Sequence, residues 1–126
     1  MRVGVIGVGH VGLVTAACMA ELGHHAFGYD VDRAKVELLR RARIPFVEPG
    51  LDQLVQSGAS SGRLVFTDEV GEAITESDVV FICVGTPRRA DGAPNMSYVQ
   101  AAAAAVATHA LRPTVVAEKS TVPAIY

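Results

Sequence analysis

The first thirty residues, MRVGVIGVGHVGLVTAACMAELGHHAFGYD (residues 1–30), contain the stretch that decides the fold. An apolar run from Arg2 to Gly7 is rich in Val and Ile, which is typical of a strand covered on both faces. A segment with helical spacing follows from His10 to Leu22, and a second short strand is predicted from His25 to Asp30. Strand, helix and strand in this order predict a parallel β-α-β unit.

The helix of this unit is predicted to turn one apolar side toward the core. Val11, Val14, Cys18 and Leu22 recur at helical spacing, and Gly23 is expected to end the helix. We therefore expect Cys18 to be a buried packing residue on this apolar face.

The rest of the chain continues to alternate helices and strands. Helices are predicted at residues 32–41, 49–57 and 67–76 and from Asn95 or Ser97 through the alanine run 101–105, and strands at 63–66, 78–84 and 114–119. The phrase SGASSG (57–62) and residues 85–95 are predicted to be loops. This order predicts an α/β fold, a Rossmann-type doubly wound parallel sheet in one three-layer domain over residues 1–126. The first strand is expected in the centre of the sheet, with the ligand site at its C-terminal end.

Composition narrows the class of protein. Charged residues make up 19% of the 126 residues and the net charge is −2, so nothing indicates a nucleic acid or an anionic membrane as partner. Glycines and His10 interrupt the N-terminal apolar stretch, which excludes a signal peptide or a membrane span there. Cys18 and Cys83 lack CxxC spacing and are expected to be buried in a reducing, cytoplasmic protein. The histidines show no metal-ligand spacing, so no metal site is predicted.

The three glycines of the opening stretch and Asp30 together predict a dinucleotide site. Gly7 permits a tight turn, Gly9 lets the backbone approach a pyrophosphate, and Gly12 lets the helix pack closely on the strand. A carboxylate at Asp30 can accept hydrogen bonds from both ribose hydroxyls and repels a 2′-phosphate, which favours NAD over NADP. The alternative is a structural turn in a domain that binds another ligand, such as a mononucleotide. The side chain of His10 could approach the phosphates or the nicotinamide, or lie exposed at the helix start.

Five phrases of the sequence together resemble one protein family. In order along the chain they are GHVGLVTAACMAELGH (9–24), IPFVEPGL (44–51), VFICVGTP (80–87), DGAPNMSYV (91–99) and EKSTVP (118–123). Together they resemble the N-terminal NAD-binding domain of the UDP-glucose/GDP-mannose dehydrogenase family, over essentially the whole chain. The chain departs from the family at His10, where tyrosine is common, and at Asn95, where an acidic residue is frequent.

The resemblance implies a set of site residues. It implies that the pyrophosphate is held by Gly7, Val8, Gly9, His10, Val11 and Gly12, the adenosine ribose by Asp30 and Lys35, and the rest of the cofactor by Val84, Gly85, Thr86 and Ser120. It also implies that Thr121 lies close to the reacting centre, as the catalytic residue of this segment. From the residues alone, Thr86 could end a strand in a turn, Ser120 and Thr121 could be a polar strand exit, and Glu48 could simply start a helix.

The resemblance further implies a function. Members of this family oxidise the primary alcohol of a nucleotide sugar to a carboxylate with two NAD, and their nucleophilic cysteine follows the segment present here. The linking helix and the C-terminal substrate domain of the family are therefore expected outside this chain. We expect this chain to bind NAD without catalysing and to be a monomer, and the full-length enzyme to be a homodimer. UDP-glucose is the expected substrate, with UDP-N-acetyl sugars and GDP-mannose as alternatives.

Two other functions stay open. One is a β-hydroxyacid or 6-phosphogluconate-type dehydrogenase domain, against which the phrases EPGL and KSTVP argue. The other is a non-catalytic NAD-sensing regulatory module, for which a single Rossmann domain suffices.

Overall fold

The computed structural model describes residues 1–121, in which helices and strands alternate except that two helices follow the second strand. They are β1 (Arg2–Ile6), α1 (His10–Glu21), β2 (His25–Tyr29), α2 (Arg33–Arg40), α3 (Leu51–Ser61), β3 (Leu64–Thr67), α4 (Val70–Ile74), β4 (Val79–Ile82), α5 (Ser97–His109) and β5 (Val115–Glu118). The strands described form one sheet in the order β3-β2-β1-β4-β5, and every neighbouring pair is parallel. The predicted doubly wound sheet with a central first strand is confirmed.

The two faces of β1 belong to two different packing clusters. Val3 and Val5 join the cluster that contains Leu13 of α1 and the buried residues of α2 and α3. Ile6 joins the cluster formed with α4 and α5. At Gly4 an added Cβ would overlap the carbonyl oxygen of Ala73, so α4 packs directly on the backbone of β1. Because both faces are covered, β1 is apolar from Val3 to Ile6, as its sequence indicated.

The predicted apolar face of α1 is wrong. Val11, Cys18 and Leu22 are exposed, and the residues that pack on the sheet are the small Gly12, Ala16, Ala17 and Ala20 together with Leu13. The physical reason is that α1 lies close against the sheet, and glycine and alanine allow a shorter distance between helix and sheet than valine or leucine would. The prediction that Cys18 is buried therefore fails as well. Gly23, with φ +101°, ends α1 as predicted.

The prediction that SGASSG (57–62) is a loop is also wrong. α3 continues through Ser61, and only Gly62 of this phrase lies beyond the helix. Gly58 is buried in the helix, where an added Cβ would lie 2.8 Å from the Cβ of Leu64. Tertiary packing thus outweighs the low helix propensity of the phrase. Gly62, at φ +76°, ends the helix, and Gly50, at φ +82°, precedes its first residue, so Pro49 lies outside it.

Of the next two helices, α2 begins where the sequence predicts and α4 does not. Asp32 caps α2 by accepting a hydrogen bond from the backbone N–H of Lys35, at 3.2 Å. α4 is shorter than predicted and begins at Val70, because the Thr67 hydroxyl accepts the N–H of Glu69 and holds the preceding residues in a turn. Within residues 1–121 no helix has the length and the apolar character that crossing a membrane requires.

Candidate cofactor-binding site

A cavity of about 900 Å³ opens at the carboxyl ends of β1, β2, β4 and β5. Most of the residues predicted from the sequence line it: Gly7, Gly9, His10, Val11, Asp30, Lys35, Val84, Gly85, Thr86, Ser120 and Thr121. Of the other two, Val8 has a fully buried side chain and Gly12 is buried beneath the turn. The topology therefore brings predicted residues from distant parts of the sequence to one edge of the sheet.

The turn between β1 and α1 needs glycine at each position for a different reason. Gly7 has φ +95°, and a Cβ there would lie 2.7 Å from the carbonyl oxygen of Cys83 on β4. At Gly12 a Cβ would overlap the carbonyl oxygen of Gly7. At Gly9 an added Cβ would meet no protein atom within 4 Å, so this glycine leaves open space at the cavity. Gly7 and Gly12 therefore serve the fold, and Gly9 leaves room for a ligand.

The start of α1 presents hydrogen-bond donors to this space. Gly9 is the N-cap, it has no side chain to cap the first N–H groups, and the first turn contains no acidic residue. The first N–H groups of a helix have no acceptor within the helix, and the helix dipole is positive at this end. The turn thus matches the requirements of a phosphate group without a positively charged side chain.

Asp30 lies at the end of β2 and its carboxylate is already engaged by the protein. The residue is 8% exposed. Its Oδ2 accepts the backbone N–H of Val8 at 3.1 Å and lies 3.3 Å from Nζ of Lys35, and its Oδ1 accepts the backbone N–H of Asp32 at 2.9 Å. The prediction that Asp30 and Lys35 lie together at the ribose did not include the hydrogen bond from Val8 to Asp30.

The side chain of His10 turns toward the loop that precedes α3. Its ring stacks on Phe46 with the centroids 4.9 Å apart and the planes at 9°, and its Nε2 lies 3.1 Å from Oε2 of Glu48. The side chain remains 56% exposed. Glu48 lies before α3, and its carbonyl accepts the N–H of Leu51, the first residue of that helix. Sequence reasoning missed Phe46, although the aromatic residue and the carboxylate stand together in IPFVEPGL.

Ser120 connects the ends of β4 and β5. Its hydroxyl donates to the carbonyl oxygen of Val84 at 2.8 Å, and its backbone N–H donates to Oε1 of Glu118 at 2.6 Å. Thr121 follows at the cavity edge and is exposed, whereas Thr86 is half-buried. The Ser120 hydroxyl proton is therefore used within the protein, while its oxygen keeps acceptor capacity toward the cavity.

One wall of the cavity comes from residues that sequence reasoning did not place in the site. Ala101, Ala102 and Ala105 of α5 line it, with Tyr98 at the start of the helix and Tyr29 at the end of β2. The signal was the alanine run 101–105, which predicted a helix whose small side chains permit close packing. The structure shows that its small side chains also leave space for the cavity.

Cys83 lines the cavity and is half-buried. Burial raises the pKa of its thiol to about 11, and the positive charge of Lys119 offsets only part of this effect. The thiol therefore stays protonated at neutral pH and is a poor nucleophile. Among residues 1–121 no group of three or more His, Cys, Asp or Glu side chains is arranged to hold a metal ion.

Comparison with known proteins agrees with this geometry. Residues 1–125 match the UDP-glucose/GDP-mannose dehydrogenase family, NAD binding domain. The chain belongs to this family. The cofactor is NAD, as the glycine turn and Asp30 predicted, and the open space at Gly9 fits its pyrophosphate.

Relatives within the family carry two substrate names. The chain is 51% identical over 124 residues to UDP-glucose 6-dehydrogenase of Rhizobium meliloti (strain 1021), a match that covers 98% of this chain and 28% of that protein. It is 42% identical over 100 residues to GDP-mannose 6-dehydrogenase of Pseudomonas aeruginosa, covering 79% of this chain and 23% of that protein. The chain thus spans about 28% of the length of the first of these relatives.

A solved family structure has the same fold. It is the ternary complex of GDP-mannose dehydrogenase from Pseudomonas aeruginosa, which superposes with a TM-score of 0.91 at 37% identity. The match covers 97% of this chain and 29% of that chain.

Proposed function

We propose that this chain is the cofactor-holding domain of a nucleotide-sugar 6-dehydrogenase that converts UDP-glucose to UDP-glucuronate with two NAD. The observation that carries the proposal is the cavity at the carboxyl ends of the strands, with the glycine turn and Asp30 beside it. NAD, when bound, accepts the hydride from the sugar alcohol. UDP-glucose is favoured over GDP-mannose because the chain is 51% identical to the UDP-glucose relative and 42% identical to the GDP-mannose relative.

In this proposal the site residues divide by position along the cavity. The turn from Gly7 to Gly12, including Val8 and Val11, surrounds the pyrophosphate, which is held by the unpaired backbone N–H groups at the start of α1 and the positive end of its dipole. Asp30 and Lys35 hold the adenosine ribose. The segment of Val84, Gly85 and Thr86 lines the middle of the cofactor, and Ser120 and Thr121 stand at the nicotinamide and the reacting centre.

The side chain of His10 is placed separately. Because it stacks on Phe46 and pairs with Glu48, we propose that His10 contributes its backbone N–H to the pyrophosphate. Its ring instead fixes the loop before α3 against the start of α1.

The oxidation of an aldehyde to a carboxylate needs a nucleophile that neither cysteine of this chain supplies. Cys83 is kept protonated by burial, and Cys18 lies on the exposed face of α1. We propose that the rest of a longer protein supplies the thiol and the substrate pocket, since the relatives are more than three times as long. A cytoplasmic location and a homodimer of the longer protein belong to the same proposal.

Calorimetric titration of the chain with NAD and with NADP tests cofactor binding. We expect one NAD per chain and at least about tenfold weaker binding of NADP, because the Asp30 carboxylate opposes a 2′-phosphate. Equal affinity for both would contradict the role of Asp30. Release of two NADH per UDP-glucose by the longer protein tests the reaction. A longer protein that binds NAD but oxidises no nucleotide sugar would instead support a regulatory module.

A further inference from the structure

The hydrogen-bond capacity of Asp30 is nearly exhausted before any ligand binds. An ionised carboxylate offers about four lone-pair sites. Two sites on Oδ2 are occupied by the Val8 N–H at 3.1 Å and the Lys35 ammonium at 3.3 Å, and one on Oδ1 is occupied by the Asp32 N–H at 2.9 Å. One site on Oδ1 therefore remains for a ribose hydroxyl, although the sequence alone allowed two.

The bond from Val8 to Asp30 fixes the turn that faces the pyrophosphate. Val8 lies between Gly7 and Gly9, its side chain is fully buried, and its hydrogen bond to Asp30 is buried as well. The N–H of Gly7 is held separately by the carbonyl oxygen of Tyr29 at 2.8 Å. If the carboxylate is lost, the buried Val8 N–H has no acceptor, and the turn must move to reach one.

We propose that Asp30 is a positioning residue for the phosphate-binding turn in addition to its ribose contact, so that its carboxylate strengthens pyrophosphate binding even without a ribose diol. The proposal rests on the site described under Proposed function. In this arrangement Asp30 serves one ribose hydroxyl, and the ammonium of Lys35, which lines the same cavity, donates to the other ribose oxygen.

The test compares NAD with an analogue whose adenosine carries 2′,3′-dideoxyribose, on the wild-type chain and on Asp30→Asn. An amide at residue 30 turns an N–H toward one of the two backbone donors that the carboxylate accepts. We expect Asp30→Asn to weaken both ligands by about tenfold or more, since hydrogen bonds to a charged acceptor are strong. If the analogue binds Asp30→Asn as tightly as it binds the wild type while NAD binding falls, Asp30 acts on the ribose alone and the proposal is wrong.

Two further variants separate the effect of a lost negative charge from the effect of a lost ribose contact. Asp32→Asn removes the same charge two residues away, from a carboxylate that caps α2 and does not contact the turn, so it should leave both affinities within about twofold. Lys35→Met keeps both backbone bonds of Asp30 and should weaken NAD while sparing the dideoxy analogue. If Lys35→Met weakened the binding of NAD and of the dideoxy analogue equally, and by as much as Asp30→Asn does, then the separate roles of Asp30 at the turn and Lys35 at the ribose would be wrong.

If Asp30→Asn does not fold, hydrogen exchange of the wild-type chain without ligand tests whether Asp30 holds the Val8 amide. In the wild-type chain without NAD, the Val8 amide should exchange with deuterium at least about tenfold more slowly than an unprotected amide, because a buried hydrogen bond holds it. Exchange at the unprotected rate would overturn the proposal. A protected Val8 in a chain that fails to bind NAD would instead contradict the proposed function while leaving the positioning contact in place.

Discussion

The two ends of the parallel sheet use polar groups in opposite ways. At the amino ends of β1 and β4, Asp78 accepts the backbone N–H of Arg2 at 2.9 Å and pairs with Arg112 at 2.7 Å, and Arg112 also donates to the carbonyl oxygen of Glu76. At the carboxyl ends, the N–H groups that start α1 face a cavity of about 900 Å³. At the amino end the Asp78 carboxylate is engaged by protein groups, and at the carboxyl end donors are left for a ligand. Substitutions at the two ends should therefore change different quantities.

The largest expected effect comes from a carboxyl-end residue that serves the fold. In Gly12→Val the new side chain would overlap the carbonyl oxygen of Gly7, which belongs to rigid backbone. We expect a loss of about 3 kcal/mol in the free energy of unfolding, measured by urea denaturation, with NAD binding lost as well. A variant as stable as the wild type would show that α1 can move away from β1.

Gly9→Ala is the matched substitution that should separate binding from stability. The added methyl group meets no protein atom within 4 Å and enters the space assigned to the pyrophosphate. We expect the free energy of unfolding to change by less than about 0.5 kcal/mol and NAD affinity to fall by about tenfold. Unchanged affinity in calorimetry would mean that the pyrophosphate does not approach Gly9.

Asp78→Asn should affect stability without affecting the cofactor. The backbone N–H of Arg2 lowers the pKa of Asp78 most strongly, desolvation opposes this in part, and the charge of Arg112 lowers the pKa further. Because the folded-state pKa is depressed, the stabilisation is present above the unfolded pKa of about 4 and is lost as the pH falls below it. Urea denaturation across this range should show a weaker pH dependence in Asp78→Asn, with wild-type NAD affinity at neutral pH. A change in NAD affinity would contradict the proposal that the amino end of the sheet serves stability alone.

The smallest effect concerns the two cysteines. Cys18 is exposed, whereas Cys83 lines the cavity and has a pKa raised to about 11 by burial. At neutral pH a maleimide should modify Cys18 first, and NAD should slow modification of Cys83 but not of Cys18, as mass spectrometry of peptides can measure. Protection of Cys18 by NAD would place the cofactor, or a change it causes, on the outer face of α1.

The order of elements could be predicted because apolar strands and glycine positions are local signals. The strand from Arg2, the turn at Gly7 and the end of α1 at Gly23 all follow from residue type. The buried face of α1 could not be predicted by counting large apolar residues, since close packing selected Ala16 and Ala17 instead. The helix through Gly58 was missed for the same reason, because contact with Leu64 lies outside any local window.

The candidate site shows the same division between local and distant information. Asp30 was predicted from its place after the second strand, whereas Ser120 was assigned from the family resemblance. The bond from Asp30 back to Val8, and that from Ser120 to Val84, depend on how strands far apart in sequence come together. Residue type indicates which groups can bind a cofactor, but only the fold shows which of their hydrogen bonds are already taken.

The alanine wall of α5 has a consequence for the thermodynamics of binding. Ordering a long flexible side chain against a ligand can cost up to about 2 kcal/mol in conformational entropy, whereas alanine has no rotamers to lose. Ala101, Ala102 and Ala105 line the cavity and have no side-chain rotamer to fix when a cofactor binds. Contacts that a cofactor makes with this wall are therefore not offset by side-chain ordering, and the wall acts as a preorganised surface.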